Sequence, residues 1–243
     1  MIYEEHLRAS ETGFWSLESI RWTEIDRRTA LGERDILTAL HDAAIIEGYL
    51  PVFAPRLMRL LWDDIDATAI LSLEMYEGLR HYTALTRYLD AVGFAPAKVS
   101  EESLVNARAK TADITYDEDQ IITYLTHFLC SELFAALFFK RLGEQTNEPV
   151  LRELLSYMSR DELRHSAGAG ALLKKRLHTK PSLSTEILAA AENFRHYGSD
   201  VVDVPLAEEN DFEAIMAMNR KVRQLCGLAP TEHIKEEFTN DYR

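Results

Sequence analysis

Asp161-Glu162-Leu163-Arg164-His165 is the stretch whose reading decides the fold, and Glu77-Gly78-Leu79-Arg80-His81 is its counterpart about 84 residues earlier. Each follows a lone glutamate set in an apolar, helix-like run: Glu132 before the first, Glu47 before the second. A four-helix bundle builds a carboxylate-bridged two-metal site from such parts, one Glu from each of two helices and a Glu-x-x-His from each of the other two. The later half meets that rule in full. The earlier half does not, because Gly78 stands where the Glu of Glu-x-x-His belongs.

The spacing carries a physical meaning. A glutamate and a histidine three residues apart lie on one helix face a turn apart, so Glu162 and His165 can both point into a bundle axis. Glu132 sits among Phe128, Leu129, Leu133 and Phe134, and Glu47 beside Ile45, Ile46 and Leu50, where a surface helix rarely places a solvated acid. Buried acids of this kind need a cation or a proton to balance them. Mixed carboxylate and imidazole donors suit iron or manganese better than zinc, so two irons, two manganese ions or a mixed pair are the expected cofactors.

Composition narrows the rest. A chain of 243 residues, 47% hydrophobic, can bury a full core as one domain, 1–243, with the bundle over about 33–178. The net charge of −13 argues against a nucleic-acid partner, which needs a basic footprint. Lys174, Lys175, Arg176 and Lys180 form a local basic patch, read first as a solvated helix end. The two cysteines, Cys130 and Cys226, form no Cys-x-x-Cys and fit a reducing cytoplasm. Apolar runs are too short to predict a membrane span or a secretory leader.

Helical periodicity predicts a first long helix over 33–62 with a bend at Pro51 and Pro55, and a second from Asp63 or Asp64 to Val92, ended by Gly93. A polar connection over 94–117 contains a short helix near 101–110. The third and fourth long helices are expected over 118–142 and 149–177, with shorter ones over 184–196 and 211–226. Trp15 and Trp22 read as packing anchors beside a short helix over 13–27. Two helix pairs joined by a long connection make an all-α four-helix bundle with a crossover.

With these residues in view, the chain resembles the ferritin-like di-iron family, and within it the soluble acyl-carrier-protein desaturase branch. The likeness rests on Glu47-Gly48-Tyr49-Leu50-Pro51, on Arg80-His81 followed by Leu85-Thr86-Arg87-Tyr88-Leu89, and on the 161–165 stretch, across most of 35–228. It implies that Glu47 and His81 bind one iron, Glu132 and His165 the other, and that Glu162 bridges them. Asp161, and Glu77 in the earlier half, would orient the ligand histidines, with Arg80 and Arg164 balancing the acids. The family's second bridging glutamate falls on Gly78. Two residues can replace it: Glu77, four before His81, or Glu74, on the same seam as Gly78 and His81.

The implied activity is oxidation of a small organic or acyl substrate by O2, with electrons from an external donor, since no dinucleotide fingerprint and no iron–sulfur cysteine pattern is present. Tyr49, Tyr76, Tyr82 and Phe128 are candidates for pocket lining or an electron path. A homodimer is compatible with the pattern. Metal storage or sensing, and a degenerate member without redox activity, are the alternatives.

Overall fold

In a computed structural model, residues 1–110, 120–196 and 212–229 are described, and every regular element among them is helical. The helices are α1 (Ile2–Gly13), α2 (Arg27–Gly32), α3 (Arg34–Gly48), α4 (Leu50–Leu60), α5 (Ile65–Val92), α6 (Glu101–Lys110), α7 (Ile121–Gln145), α8 (Pro149–Thr179), α9 (Leu183–Glu192) and α10 (Phe212–Leu225). The expected start of the third long helix at Glu118, the stretch 197–211 and the charged tail beyond 229 lie outside the described residues.

Local chemistry explains the boundaries. The Asp64 side chain accepts hydrogen bonds from the Asp66 and Ala67 amides and starts α5. Gly93, at φ 80°, ends it in the left-handed region that a side chain would strain. Pro149 opens α8 behind Glu148, whose carboxylate accepts from the Val150 and Leu151 amides. The expected bend in the first long helix is a full break at Tyr49. Pro51 has no N–H to offer the Glu47 carbonyl, so the chain restarts as α4 directly behind Glu47.

One stretch differs from expectation. The N-terminal helix occupies Ile2–Gly13, and the segment read as a helix over 13–27 holds only short 3₁₀ turns at Leu17–Ser19 and Trp22–Glu24. Ser16 and Asp26 are the reason: both side chains bond the amides just ahead of them and divide the segment into caps.

The helices pack as a bundle. α3 and α4 lie on α5, α7 runs along α8, and α5 meets α8 between the two pairs. α1 lies across α5 and α8. The core divides into two apolar clusters. One contains Leu37, Leu85, Tyr88, Phe139 and Leu155. The other contains Ile70, Leu71, Leu129, Leu172 and Leu173. On α5 they leave the interval 74–81 between them, and on α8 the interval 159–168. The polar layer therefore has apolar packing at both ends.

By length and composition, 34–60 and Ile121–Gln145 are apolar enough to cross a membrane, contrary to the sequence expectation. More than half of the second window (56%) is buried inside the protein, and it carries Glu132 into the core, so packing accounts for its apolar character. Two members of the basic patch are tied down: Lys175 Nζ pairs with Asp64 and Asp66 at 2.9 and 3.0 Å, and Arg176 with Asp64 at 3.3 Å.

Candidate metal centre

Four helices bring five side chains to one point. Glu47 comes from the last turn of α3, His81 from the middle of α5, Glu132 from α7, and Glu162 and His165 from successive turns of α8. Their donor atoms form two groups, Glu47–His81–Glu162 and Glu132–Glu162–His165, each with its atoms within 4.8 Å of one another. Glu162 belongs to both. Its Oε1 lies 2.8 Å from His81 Nδ1, and its Oε2 lies 2.9 Å from His165 Nδ1. Glu47 Oε1 stands 3.7 Å from His81 Nδ1, and Glu132 Oε2 stands 3.3 Å from His165 Nδ1.

Both imidazoles turn Nδ1 inward and Nε2 outward, and the outward partners are crossed between helices. His81 of α5 reaches Asp161 of α8 at 3.1 Å, while His165 of α8 reaches Glu77 of α5 at 2.7 Å. An outward carboxylate of this kind fixes ring orientation and strengthens the inward nitrogen as a donor. Arg164 Nη2 donates to both acids, at 2.8 Å to Glu77 and 2.7 Å to Asp161, and Arg80 Nη2 donates to Asp161 at 2.9 Å. The acids and arginines thus form one hydrogen-bonded layer outside the two rings.

Two residues that the sequence reading did not connect to the site complete this layer. The Ser10 hydroxyl donates to Glu77 Oε1 at 2.6 Å, and Trp15 Nε1 donates to Asp161 Oδ2 at 2.7 Å. Trp15 also stacks on His81, with ring centroids 6.1 Å apart and planes 9° from parallel. No local pattern around Ser10 or Trp15 marks them, because their partners lie 67 and 146 residues away in sequence. Two further imidazoles, His6 and His196, are buried nearby; burial lowers each to about 4, so both are neutral. Tyr76 is 57% exposed and lies beside Arg80, whose guanidinium carbon stands 5.7 Å from its ring centroid.

The gap at Gly78 is a filled one. A Cβ there would meet Leu50 Cδ2 at 2.5 Å and Glu47 Oε2 at 3.2 Å. Of the two proposed replacements, Glu77 has both oxygens engaged, by Ser10 and by His165 with Arg164. Glu74 is buried, and its Oε2 has no hydrogen-bond partner.

Electrostatics follows from this crowding. Burial pushes Glu47 and Glu132 up, and the charge of Glu162 pushes them further. Burial likewise pushes Glu74 up to about 8. Burial opposes ionisation of Glu77 too, but its bonds to His165, Ser10 and Arg164 hold it down at about 2. Burial disfavours imidazolium at His81 and His165, yet Glu162 and the surrounding carboxylates hold both well above the ordinary histidine range. Without a cation, protons do the balancing. His81 Nδ1 and Glu74 Oε2 are buried polar atoms without a hydrogen bond; His81 belongs to the first donor group, and Glu74 to neither. These groups can hold metal ions, and oxygen with imidazole donors fits iron or manganese.

No family model matches the chain, and no solved structure matches it. The chain is similar to two Mycobacterium tuberculosis proteins, from two strains, both provisionally named acyl-(acyl-carrier-protein) desaturase DesA2. It is 26% identical to each over 169 residues, which covers 66% of this chain. The chain spans 58% of the length of these relatives. That is a distant similarity. It agrees with the helical bundle and its buried acid and histidine layer.

Proposed function

We propose that this chain is a ferritin-like, non-haem di-iron oxidoreductase that uses O2 to desaturate or oxygenate a small organic or acyl substrate. The observation that carries the reading is the placement of Glu162, one oxygen facing each inward histidine nitrogen, with Glu47 and Glu132 on the outer sides. That is the donor arrangement of a carboxylate-bridged pair of ions. The distant desaturase likeness supports the same chemistry.

Glu47, His81 and Glu162 would hold one ion, and Glu132, Glu162 and His165 the other. Bound iron would supply reductive activation of O2. The chain's own part is to orient the two rings through Asp161 and Glu77, and to keep water out with the apolar clusters at both ends of the layer. Electrons would come from an external donor. The net charge of −13 weighs against docking a strongly acidic carrier protein, so free acyl chains and other small organic molecules stand ahead of carrier-bound ones as substrates. Cys130 and Cys226 are both free thiols, in keeping with a reducing, cytoplasmic setting for one domain spanning 1–243.

Metal analysis after expression in iron- and manganese-supplemented medium tests this. The expected result is two ions per chain, with at least one lost in His165→Ala, and O2 consumption that requires both reductant and substrate. Unchanged metal content in His165→Ala would refute the site. Two irons bound without any substrate-dependent O2 consumption would move the reading to storage or sensing.

A further inference from the structure

The outer face of α5 lacks what a solvated helix face normally carries. Between Ile65 and Thr86 every acidic or basic side chain, from Asp66 to His81, is buried, and no exposed or half-buried position is charged. The exposed positions of α7 and α8, by contrast, include Lys140, Glu144, Arg152, Arg160 and Lys174. A helix that turns one face to water usually puts charge there, and 28% of this chain is charged. The neutral face runs for six turns, roughly 32 Å.

Its residues keep a register. Ile65, Ala69, Ser72, Tyr76, Leu79 and Thr83 follow one another by four and three residues in strict alternation, the seam of two paired helices. Ile65 is 64% exposed, and Tyr76 and Leu79 are exposed beside it. The polar members spend their donors on their own helix. The Ser72 hydroxyl donates to the Thr68 carbonyl at 2.7 Å, that of Thr83 to Leu79 at 2.8 Å, and that of Thr86 to Tyr82 at 2.9 Å. Covering the seam would therefore strand none of these donors. Exposed Phe14 widens the face, since its ring and that of Tyr76 both lie against the Arg80 guanidinium, 5.2 and 5.7 Å from its central carbon.

Two observations choose the occupant. Each chain has a net charge of −13, so two copies repel one another except across a neutral surface such as this one. The seam also complements its own reverse. With two α5 helices antiparallel and the two-fold axis between Ser72 and Tyr76, Tyr76 faces Ser72 of the second copy, Leu79 faces Ala69 and Thr83 faces Ile65. Each layer then sets a larger side chain against a smaller one. At both ends Thr86 and Arg87 meet Trp62, which is 78% exposed, so a cation falls beside an exposed ring. Parallel pairing would set Tyr76 on Tyr76 and Ser72 on Ser72, crowding one layer and leaving a gap in the next.

We propose that the outer face of α5 is the interface of a two-fold symmetric dimer in which the α5 helices of two copies pair antiparallel. The dimer does not depend on the metal-centre reading, and either can fail without the other.

Sedimentation velocity of the full chain over a dilution series tests it. The expected result is a species of twice 27.8 kDa that dissociates on dilution. Leu79→Glu and, separately, Ser72→Glu should each weaken association by roughly 100-fold, because symmetry buries the added charge twice. Lys140→Glu, which makes the chain more acidic on the exposed side of α7, should leave the dimer in place. Far-ultraviolet circular dichroism checks that the variants keep their helices. A chain that is monomeric at every concentration would overturn the proposal. So would a dimer that survives both α5 substitutions, or one lost equally in Lys140→Glu. If the α5 glutamate variants do not fold, oxidative cross-linking decides. Ala69→Cys combined with Leu79→Cys should give a covalent dimer beyond any wild-type background, and Ala69→Cys alone should not; no covalent dimer from the pair overturns the antiparallel contact.

Discussion

Gly78 is where a single residue carries the most information. The absent side chain is compensated by Leu50, which comes from the other side of the Tyr49 break and packs where a Cβ would sit. Gly78→Ala illustrates the competition. Alanine improves helix propensity by about 1 kcal/mol, but its methyl would stand 2.5 Å from Leu50 Cδ2 and 3.2 Å from Glu47 Oε2. Leu50 Cδ2 is the mobile end of its side chain and can swing aside, so the cost falls toward the low end of the roughly 1–3 kcal/mol of overpacking, and thermal denaturation should show a net change of about 1 kcal/mol or less. Adding Leu50→Ala should remove that clash and make Gly78→Ala neutral or favourable in the shortened background, a coupling that a double-mutant cycle reads directly.

At the scale of elements, the N-terminal segment is the least expected contributor. α1 and the turn after it close the outer side of the layer through Ser10 and Trp15. Trp15→Phe keeps a ring able to stack on His81 and Tyr157 but removes the indole N–H and part of the buried ring. Asp161 Oδ2 would retain Arg80 and His81, so the loss is one hydrogen bond to a charged group, about 1.5–3 kcal/mol, plus the cost of the vacated ring volume. Urea denaturation of the metal-free chain measures it. An unchanged midpoint would mean that neither the indole N–H nor the vacated ring volume contributes.

For the whole molecule, the balance of buried charge sets a dependence on pH. Glu74 has its folded value raised from 4.5 to about 8. A raised group stabilises the fold fully below its unfolded value, and that stability is lost as pH rises through the folded one. His81 and His165, raised above 6.5, act with the same sign. Glu77, lowered to about 2, changes stability only at more acid pH and leaves this window untouched. His6 and His196, lowered to about 4, act with the opposite sign between about pH 4 and pH 6.5, so the metal-free chain should lose thermal stability from about pH 6.5 to pH 8. Divalent ions bound at the proposed centre would displace those protons, so their stabilising effect should grow over the same interval, and differential scanning calorimetry with and without Mn(II) checks both trends.

Much of this was legible in the linear chain. The helical class, the stops at Asp64 and Gly93, and the co-facial pairs Glu162–His165 and Gly78–His81 follow from short-range periodicity and capping, because those interactions span a few residues. The region over 13–27 was misread because capping side chains at Ser16 and Asp26 overrode helix propensity. The choice between Glu74 and Glu77 was not legible at all, since both share a helix face with His81. Only the packed structure separates them: Arg164 and His165, from a helix more than 80 residues away, engage Glu77, and Ser10 adds a third bond. The sequence by itself determined which residue types could meet in a bundle. Tertiary packing decided which acid is held by hydrogen bonds and which keeps a buried oxygen without one, because that depends on partners distant in sequence.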